Sequence, residues 1–276
     1  MTDEQMGLIG REFRHFKMHL RRDAPAAKRS GWVSEANCEA AARPRAIRFP
    51  DEQREELCEA KSQEGARHDP QHDLPQRLRM EAEEMTEKEK MLAGMIYDAN
   101  NDLELERERT RAKALCHEFN NVSPAEPDRQ REILKKLLGN THGDSFTIQP
   151  SFWCDYGYNI EIGANFFANH NTVILDGARV KFGDNVFIAP NCSFYTAGHP
   201  LDVERRNKGL EYAYPITVGD NVWIGGNVTV CPGVTIGSNS VIGAGAVVTH
   251  DIPDNSLAFG VPAKVVRKIE NAPVER

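Results

Sequence analysis

The chain has 276 residues, with 34 Lys and Arg against 41 Asp and Glu and a formal net charge of −7 at pH 7. This length allows one large domain or two modest ones, and 27% charged residues is typical of an ordinary soluble protein. A chain without a basic surplus is not expected to bind nucleic acid. No apolar run is long enough to span a bilayer, so a membrane partner is not predicted either.

The cysteine usage indicates the compartment. Six cysteines are scattered along the chain, and no two of them form a Cys-x-x-Cys pair. Disulfide frameworks are typical of short secreted chains, so this usage favours reduced thiols and argues against zinc ligation. The N-terminus also lacks the apolar core of a secretory signal. We therefore expect a cytoplasmic protein that holds no metal.

Residues 1–81 are rich in Arg, Ala, Glu, Gln and Asp and contain few aliphatic residues. Such a segment cannot bury much apolar surface. We predict an N-terminal extension that is largely disordered or loosely helical, with helical composition at residues 6–20 and 52–61.

Residues 82–142 have a helical pattern and predict a small helical cap. Thr86 and Glu89 have the spacing of a capping box at a helix N-terminus. Further along, Ser123 followed by Pro124 predicts the N-cap and first position of another helix. The apolar residues of that helix recur on one face and predict its buried stripe: Ile133, Leu134, Leu137 and Leu138.

A six-residue period dominates residues 143–262. An aliphatic residue, Phe or Ala returns every six residues, usually followed by Gly or Ala. This period fits neither a helix nor one amphipathic strand and indicates a solenoid. Each hexad supplies one short strand that points its anchor inward, the small residue allows the bend at the corner, and three hexads close a coil. The anchors are Ile162, Ala168, Ile174, Phe182, Ile188, Phe194, Val218, Ile224, Val230, Ile236, Ile242 and Val248.

The repeat is interrupted once, by a polar loop at residues 199–216. Insertions in solenoids often form the binding face, and loops on rigid scaffolds commonly carry chemistry. The loop begins at His199, and imidazole suits the removal of a hydroxyl proton because its pKa lies near neutral pH. His199 is therefore the candidate general base. Residues 263–276 are expected to form a C-terminal helix or tail.

Several long motifs resemble one family. The chain is similar to the maltose and galactoside O-acetyltransferases, closest to the maltose type, over about residues 84–270. The resemblance rests on the runs YTAGHP at residues 195–200 and VWIGG at residues 222–226, and on residues 85–94, 154–160, 165–169 and 260–263.

The resemblance implies a mainly β protein: a left-handed parallel β-helix, or hexapeptide-repeat solenoid, preceded by the helical cap. The N-terminal extension, expected from its composition to be largely disordered, has no counterpart in the bacterial enzymes of the family. The resemblance also implies a homotrimer with active sites between subunits. The implied reaction moves acetyl from acetyl-CoA to a hydroxyl of a sugar such as maltose or glucose, with His199 as general base.

Family positions also assign the remaining site residues. Phe167 and Glu211 agree with the maltose type, and Glu211 either orients His199 or is an exposed loop residue. His250 stands where relatives often have Lys. The amide of Gly226 is the implied oxyanion donor. The acceptor-binding set is Asp155, Phe167, Asn169 and Glu211, and the cofactor-binding set is Trp223, Gly226, Ala244, Thr249, His250, Lys264 and Arg267.

Three alternatives remain at this point. The same fold and chemistry could serve another acceptor: an antibiotic, an amino-acid hydroxyl or a lipo-oligosaccharide. A zinc hydratase like the gamma carbonic anhydrases needs three convergent histidines. Here His170 and His199 lie in the regular repeats and His250 is remote in sequence, so the zinc-hydratase hypothesis is less favoured. A non-catalytic scaffold would use residues 1–81 to bind a partner.

Overall fold

A computed structural model describes residues 85–270. The predictions made for residues 1–81, including the two helical patches, lie outside the described residues. Within the described range, a helical cap precedes a β-solenoid. None of the helices in this range has the length and apolar composition to cross a membrane.

The first two helices of the cap begin where side chains satisfy free backbone amides. α1 (Glu87–Leu92) starts after the capping box: Thr86 Oγ1 accepts from the Glu89 amide at 3.2 Å, and Glu89 Oε2 accepts from the Thr86 amide at 2.8 Å. α2 (Leu103–Asn121) starts after Asp102, whose carboxylate accepts from the Leu105 amide. The predicted capping box is confirmed.

The third cap helix begins later than predicted. α3 spans Pro127–Leu137, so the N-cap expected at Ser123 is wrong. A residue before proline is disfavoured in the α region, and Glu126, at φ −116° and ψ 59°, cannot belong to the helix. Ser123 Oγ accepts from the Ala125 amide in a separate turn. The predicted stripe of Ile133, Leu134, Leu137 and Leu138 is buried as expected.

The solenoid has three faces of parallel strands, which the chain visits in rotation. The predicted hexapeptide-repeat β-helix is thereby confirmed. Face 1 contains β2 (Asn140–Thr141), β5 (Ile160–Ile162), β8 (Val180–Phe182), β13 (Ile216–Val218) and β16 (Thr235–Ile236). Face 2 contains β3 (Phe146–Ile148), β6 (Phe166–Ala168), β9 (Phe187–Ile188), β14 (Trp223–Ile224), β17 (Val241–Ile242) and β19 (Ser256–Gly260). Face 3 contains β4 (Phe152–Cys154), β7 (Thr172–Leu175), β10 (Ser193–Tyr195), β15 (Thr229–Val230) and β18 (Val247–Val248).

All twelve predicted anchors are buried inside the prism. The bend at the corner has a different origin from the one predicted. Asparagines with positive φ make the turn, such as Asn185 at φ 55° and Asn221 at φ 56°. The small residue after the anchor is needed for close approach between coils: a Cβ on Gly225 would lie 2.6 Å from the Ala244 amide nitrogen.

The C-terminal segment is a strand, so the predicted helix is wrong. β20 (Ala263–Lys268) turns back from β19 and pairs with it antiparallel. The last coil of face 2 would otherwise present unpaired backbone groups at an open sheet edge, and β20 satisfies them. The β-branched pair Val265 and Val266 favours this extended form over a helix. Residues 271–276 lie outside the described residues.

Candidate active site

The interruption of the repeat is an ordered structure at the corner that follows face 3. It contains β11 (Ala197–Gly198), α4 (Val203–Asn207) and β12 (Leu210–Ala213). β12 pairs antiparallel with β11 on one side and with the cap strand β1 (Tyr97–Asp98) on the other. A three-stranded sheet therefore joins the cap to the candidate catalytic loop.

His199 is exposed at the start of this loop, and its ring is held by backbone. Its Nδ1 lies 2.9 Å from the carbonyl oxygen of Leu210. A carbonyl oxygen can only accept, so Nδ1 carries the hydrogen and donates it. In the neutral ring Nε2 then holds the lone pair. The arrangement leaves Nε2 ready to accept a proton from a bound hydroxyl.

Glu211 is held by the cap. The hydroxyl of Tyr97 donates to Glu211 Oε2 at 3.0 Å, and Tyr97 is only 2% exposed. Burial, followed by the neighbouring charge of Glu211, raises the pKa of Tyr97, so its phenol stays protonated and donates. The group that contacts the His199 ring is the carbonyl of the preceding residue, Leu210. Glu211 therefore fixes the strand beside the base.

Asp155 is half-buried at the same corner, after β4, and its carboxyl group is close enough to Glu211 to feel the charge of that residue. Burial raises the pKa of Asp155, and the charge of Glu211 raises it further. The cations Lys113 and Arg109, both from α2, lower it. The structure thus brings two predicted acceptor residues, Asp155 and Glu211, into one neighbourhood.

Two residues that the sequence did not indicate support this neighbourhood. Arg109 donates to the hydroxyl of Tyr156 at 2.8 Å and also binds the Ala99 carbonyl. Arg109 is one of several charged residues in α2, so the sequence does not distinguish it as a residue that contacts the solenoid. Tyr156 follows Asp155 directly inside one of the family motifs, which is the only sequence signal that pointed to it.

An apolar row runs along the outside of face 2. In strand register, Phe167 pairs with Phe187 and Phe187 pairs with Trp223. The row continues through Val241 and Leu257 to Arg267 on β20. The sequence missed Phe187, which is 42% exposed. Like Phe167 and Trp223, Phe187 stands directly before an anchor of the repeat, and this position is the sequence signal that could have identified it.

The corner that follows face 2 carries three more of the predicted residues. The Asn169 amide donates to Ile188 and its side-chain Oδ1 accepts from the His170 amide. Ala244 packs directly against the glycine before Gly226. Within residues 85–270, the amide of Gly226 has no hydrogen-bond partner, so it is available to an oxygen atom of a ligand.

The other predicted cofactor residues are exposed. Thr249 Oγ1 lies 2.8 Å from His250 Nδ1, at the corner after face 3 and two coils beyond the His199 corner. Lys264 and Arg267 lie on the outer hairpin strand β20.

The site residues thus form two groups on either side of face 3. Its strands have two to four residues, which separates the groups by about 10 Å along the chain direction. The first group, called the base corner, contains Asp155, His199, Glu211, Thr249 and His250. The second, called the aromatic edge, contains Phe167, Asn169, Trp223, Gly226, Ala244, Lys264 and Arg267.

The zinc alternative has no ligand set in the described part of the chain. Across residues 85–270, no three or more His, Cys, Asp or Glu side chains converge in a way that could hold a metal ion. His170 instead places its Nδ1 against the Pro150 carbonyl. His250 contacts Thr249.

Comparison with known proteins agrees with this geometry. The maltose acetyltransferase hexapeptide capping motif matches residues 90–143, and the six-repeat bacterial transferase hexapeptide matches residues 215–250. A putative acetyltransferase of Saccharomyces cerevisiae, YJL218W, is 59% identical over 66% of this chain and 92% of its own length. A putative acetyltransferase of Staphylococcus haemolyticus, SH0499, is 55% identical over 67% of this chain and 96% of its own.

Two solved structures extend the comparison. A maltose O-acetyltransferase from Clostridium difficile 630 is 50% identical, with a TM-score of 0.66, over 68% of this chain and 99% of its own. A galactoside acetyltransferase in complex with coenzyme A is 44% identical, with a TM-score of 0.65, over 67% of this chain and 92% of its own. The chain therefore belongs to the maltose/galactoside O-acetyltransferase family of hexapeptide-repeat acetyltransferases.

Proposed function

We propose that the protein transfers acetyl from acetyl-CoA to a hydroxyl group of a sugar such as maltose or glucose. The observation that carries this proposal is the tautomer of His199. Its Nδ1 is committed to the Leu210 carbonyl, so Nε2 is free to act as a general base. The membership of the family supports acetyl transfer, and the relative crystallised with coenzyme A supports the donor.

The reaction balances on these groups. His199 Nε2 takes the proton of the sugar hydroxyl as the oxygen attacks the carbonyl carbon of the thioester. The oxyanion that develops accepts a hydrogen bond from the Gly226 amide, and a preorganised donor of this kind is worth about 3 kcal/mol. As the C–S bond breaks, the imidazolium returns its proton to the CoA sulfur. The products are the sugar ester and free CoA thiol.

We propose that a complete site forms between copies of the chain in a homotrimer. In one chain, face 3 lies between the base corner and the aromatic edge, so His199 and Gly226 belong to different groups. A second copy that sets its aromatic edge beside the base corner would bring them together. The apolar row of Phe167, Phe187 and Trp223 offers the kind of surface that subunit interfaces bury.

The binding roles follow from side-chain chemistry. Asp155, Asn169 and Glu211 supply groups that hydrogen-bond sugar hydroxyls, and Phe167 supplies an apolar surface for the ring. Lys264 and Arg267 would pair with the phosphates of the donor, with Trp223, Ala244, Thr249 and His250 lining its path. We also place the protein in the cytoplasm, where thiols such as the Cys116 and Cys154 pair stay reduced.

The test measures free CoA thiol released from acetyl-CoA with purified protein. Maltose and glucose are the acceptors, and equal concentrations of serine, an aminoglycoside and a lipo-oligosaccharide form the comparison panel. We expect release that depends on the sugar and saturates with it. Release with only a non-sugar acceptor would show that the sugar is not the acceptor, and acetyl transfer would stand. No release with any acceptor would overturn acetyl transfer itself.

The subunit arrangement has its own test. Light scattering on the purified protein is expected to give three times the 30.9 kDa chain mass. Co-expression of His199→Ala chains with Trp223→Ala chains is expected to give mixed trimers that regain part of the activity, because some sites then hold both intact residues. Activity no higher than that of either variant alone would contradict a shared site.

A further inference from the structure

A carboxylate that the reaction does not use lies directly behind the base corner. Asp176 follows β7 at the corner after face 3, one coil beyond Asp155, and it is 0% exposed. A buried carboxylate is costly unless hydrogen bonds satisfy it. Its partners therefore indicate what it stabilises.

Three backbone amides of one turn donate to its carboxylate. Asp176 Oδ1 accepts from the amides of Asp155 at 3.0 Å and Tyr156 at 2.8 Å. Oδ2 accepts from the amide of Gly157 at 2.7 Å. Hydrogen bonds to a charged acceptor are stronger than neutral ones. The carboxylate thus holds three consecutive residues of the turn that carries Asp155.

The turn is also fixed on its other side. Arg109 of α2 holds the hydroxyl of Tyr156. Gly157 has φ +79°, and a Cβ there would clash with the Leu137 side chain at 2.6 Å. The turn is packed against the cap on one face and bonded to Asp176 on the other. Its backbone is therefore held by Asp176 on the side away from the cap.

We infer that Asp176 is a positioning residue for the acceptor: it holds the turn of residues 155–157 so that Asp155 faces the bound sugar. This inference rests on the proposed function, because it assumes that Asp155 contacts the acceptor. Asp176 acts through the backbone of the turn and touches neither substrate.

The charge of Asp176 is set close to neutral pH. Burial raises the pKa of Asp176 to about 7, the amides of Tyr156 and Gly157 oppose this, and the charge of Asp155 adds to it. The other titratable groups facing Asp176 are the Cys154 thiol, the Tyr158 phenol and, from α2, the Cys116 thiol. Among all these neighbours, Asp155 is the one carboxyl group.

The direction of the pH dependence follows from the raised pKa of Asp176. As pH falls through about 7, Asp176 takes up a proton, whereas an Asp with its usual pKa of 3.8 would stay ionised. Protonation removes the charge from the three amide bonds and loosens the turn. At pH 6 about a tenth of Asp176 stays ionised, and with about tenfold weaker acceptor binding in the protonated form the acceptor KM is expected to be about fivefold higher than at pH 8. The acetyl-CoA KM is expected to stay constant.

The first experiment measures the KM of maltose and of acetyl-CoA between pH 5.5 and pH 8.5. Asp176→Asn is expected to raise the maltose KM at pH 8 about tenfold and to remove most of its pH dependence. Asp184→Asn is the matched control, because Asp184 also accepts from a backbone amide, that of Ala164, but at another corner. A maltose KM equally pH-dependent in Asp176→Asn would overturn the inference.

A double-mutant cycle tests whether Asp176 acts through Asp155. If it does, Asp155→Asn with Asp176→Asn raises the maltose KM little more than the larger single effect. Independent roles would instead multiply the two effects, and that result contradicts positioning. A loss of kcat with no change in either KM would contradict it as well.

The second experiment needs no activity and leaves Asp176 unchanged. Protein labelled with [15N]tyrosine gives one backbone amide signal for each of its six tyrosines. The Tyr156 signal, assigned by its loss in Tyr156→Phe, is expected to shift with an apparent pKa near 7. A Tyr156 signal that stays constant from pH 5.5 to pH 8.5 overturns the inference. If it titrates but no acceptor is acetylated, the proposed function fails and the hold on the turn stands.

Discussion

The uninterrupted coils and the base corner are built by opposite rules. In the coils from β13 to β18, each strand pairs with the same face of the next coil, 18 residues further along. Corner asparagines also bond from one coil to the next: Asn221 donates to Asn239, 18 residues further along, at 3.0 Å, and Asn239 donates to Asn255, 16 residues further along, at 3.2 Å. The strand pairs therefore follow the sequence period, and the asparagine contacts also join residues of neighbouring coils.

The base corner depends on partners far away in sequence. Tyr97 and Glu211 are 114 residues apart, and Arg109 and Tyr156 are 47 apart. Both pairs join the cap to the corner. The comparison indicates that the repeat supplies a rigid scaffold, whereas the cap and the insertion together shape the site. Substitutions in the two regions should therefore separate stability from activity.

The largest effect is expected at the base. His199→Ala removes the group that accepts the hydroxyl proton, and general base catalysis contributes about 10²–10⁴-fold. We expect kcat to fall by that factor. The free energy of unfolding should stay within about 0.5 kcal/mol, because the side chain is exposed. A kcat within tenfold of the wild-type value would contradict His199 as base.

The opposite result is expected in the core of the coils. Phe182 packs against Phe166 at 5.1 Å and Phe194 at 5.0 Å between ring centroids. Phe182→Ala should lower the free energy of unfolding by about 3–5 kcal/mol in urea titrations. The KM values of the folded fraction should not change. The control is Leu92→Ala, at a side chain 53% exposed, with a loss below about 0.5 kcal/mol.

Core predictions of this kind were possible from sequence alone, because every buried anchor belongs to the six-residue period. The failures share another cause. The start of α3 is set by Pro127, and β20 forms because the last coil leaves an open edge. The period carries no information on either point.

The site was predictable only in part for a related reason. His199 stands where the period breaks, so the sequence indicated it. Its orienting group is the Leu210 carbonyl, and a backbone atom leaves no residue-type signal. Arg109 and Asp176 were also missed, since their roles depend on contacts between the cap, the turn and the solenoid.

A corner asparagine tests how the coils bend. Asn185 has φ 55°, donates to Asn221 at 3.1 Å and accepts from Asn165 at 2.9 Å. Asn185→Ala should cost about 2 kcal/mol, from left-handed strain and the lost bonds. Asn185→Gly removes the same bonds without that strain and should cost about 1 kcal/mol less. Equal losses in the two variants would contradict a bend made by the asparagine backbone.

The smallest effect is expected where the cap meets the base corner. Tyr97→Phe removes only the hydroxyl that holds Glu211 and should cost about 1 kcal/mol of stability. Because β12 carries both Glu211 and the Leu210 carbonyl, a shift of this strand also moves the acceptor groups. We expect the maltose KM to rise about fivefold, with an unchanged acetyl-CoA KM.

Tyr158→Phe provides the matched control for this last substitution. It removes a hydroxyl of the solenoid that also bonds to the cap, donating to Glu108 of α2 at 2.8 Å and not to β12. A similar stability loss with no change in the maltose KM would separate the two roles of the cap. If both variants raised the maltose KM equally, the cap would act on the acceptor through general packing, and the Tyr97–Glu211 contact would have no special part in shaping the site.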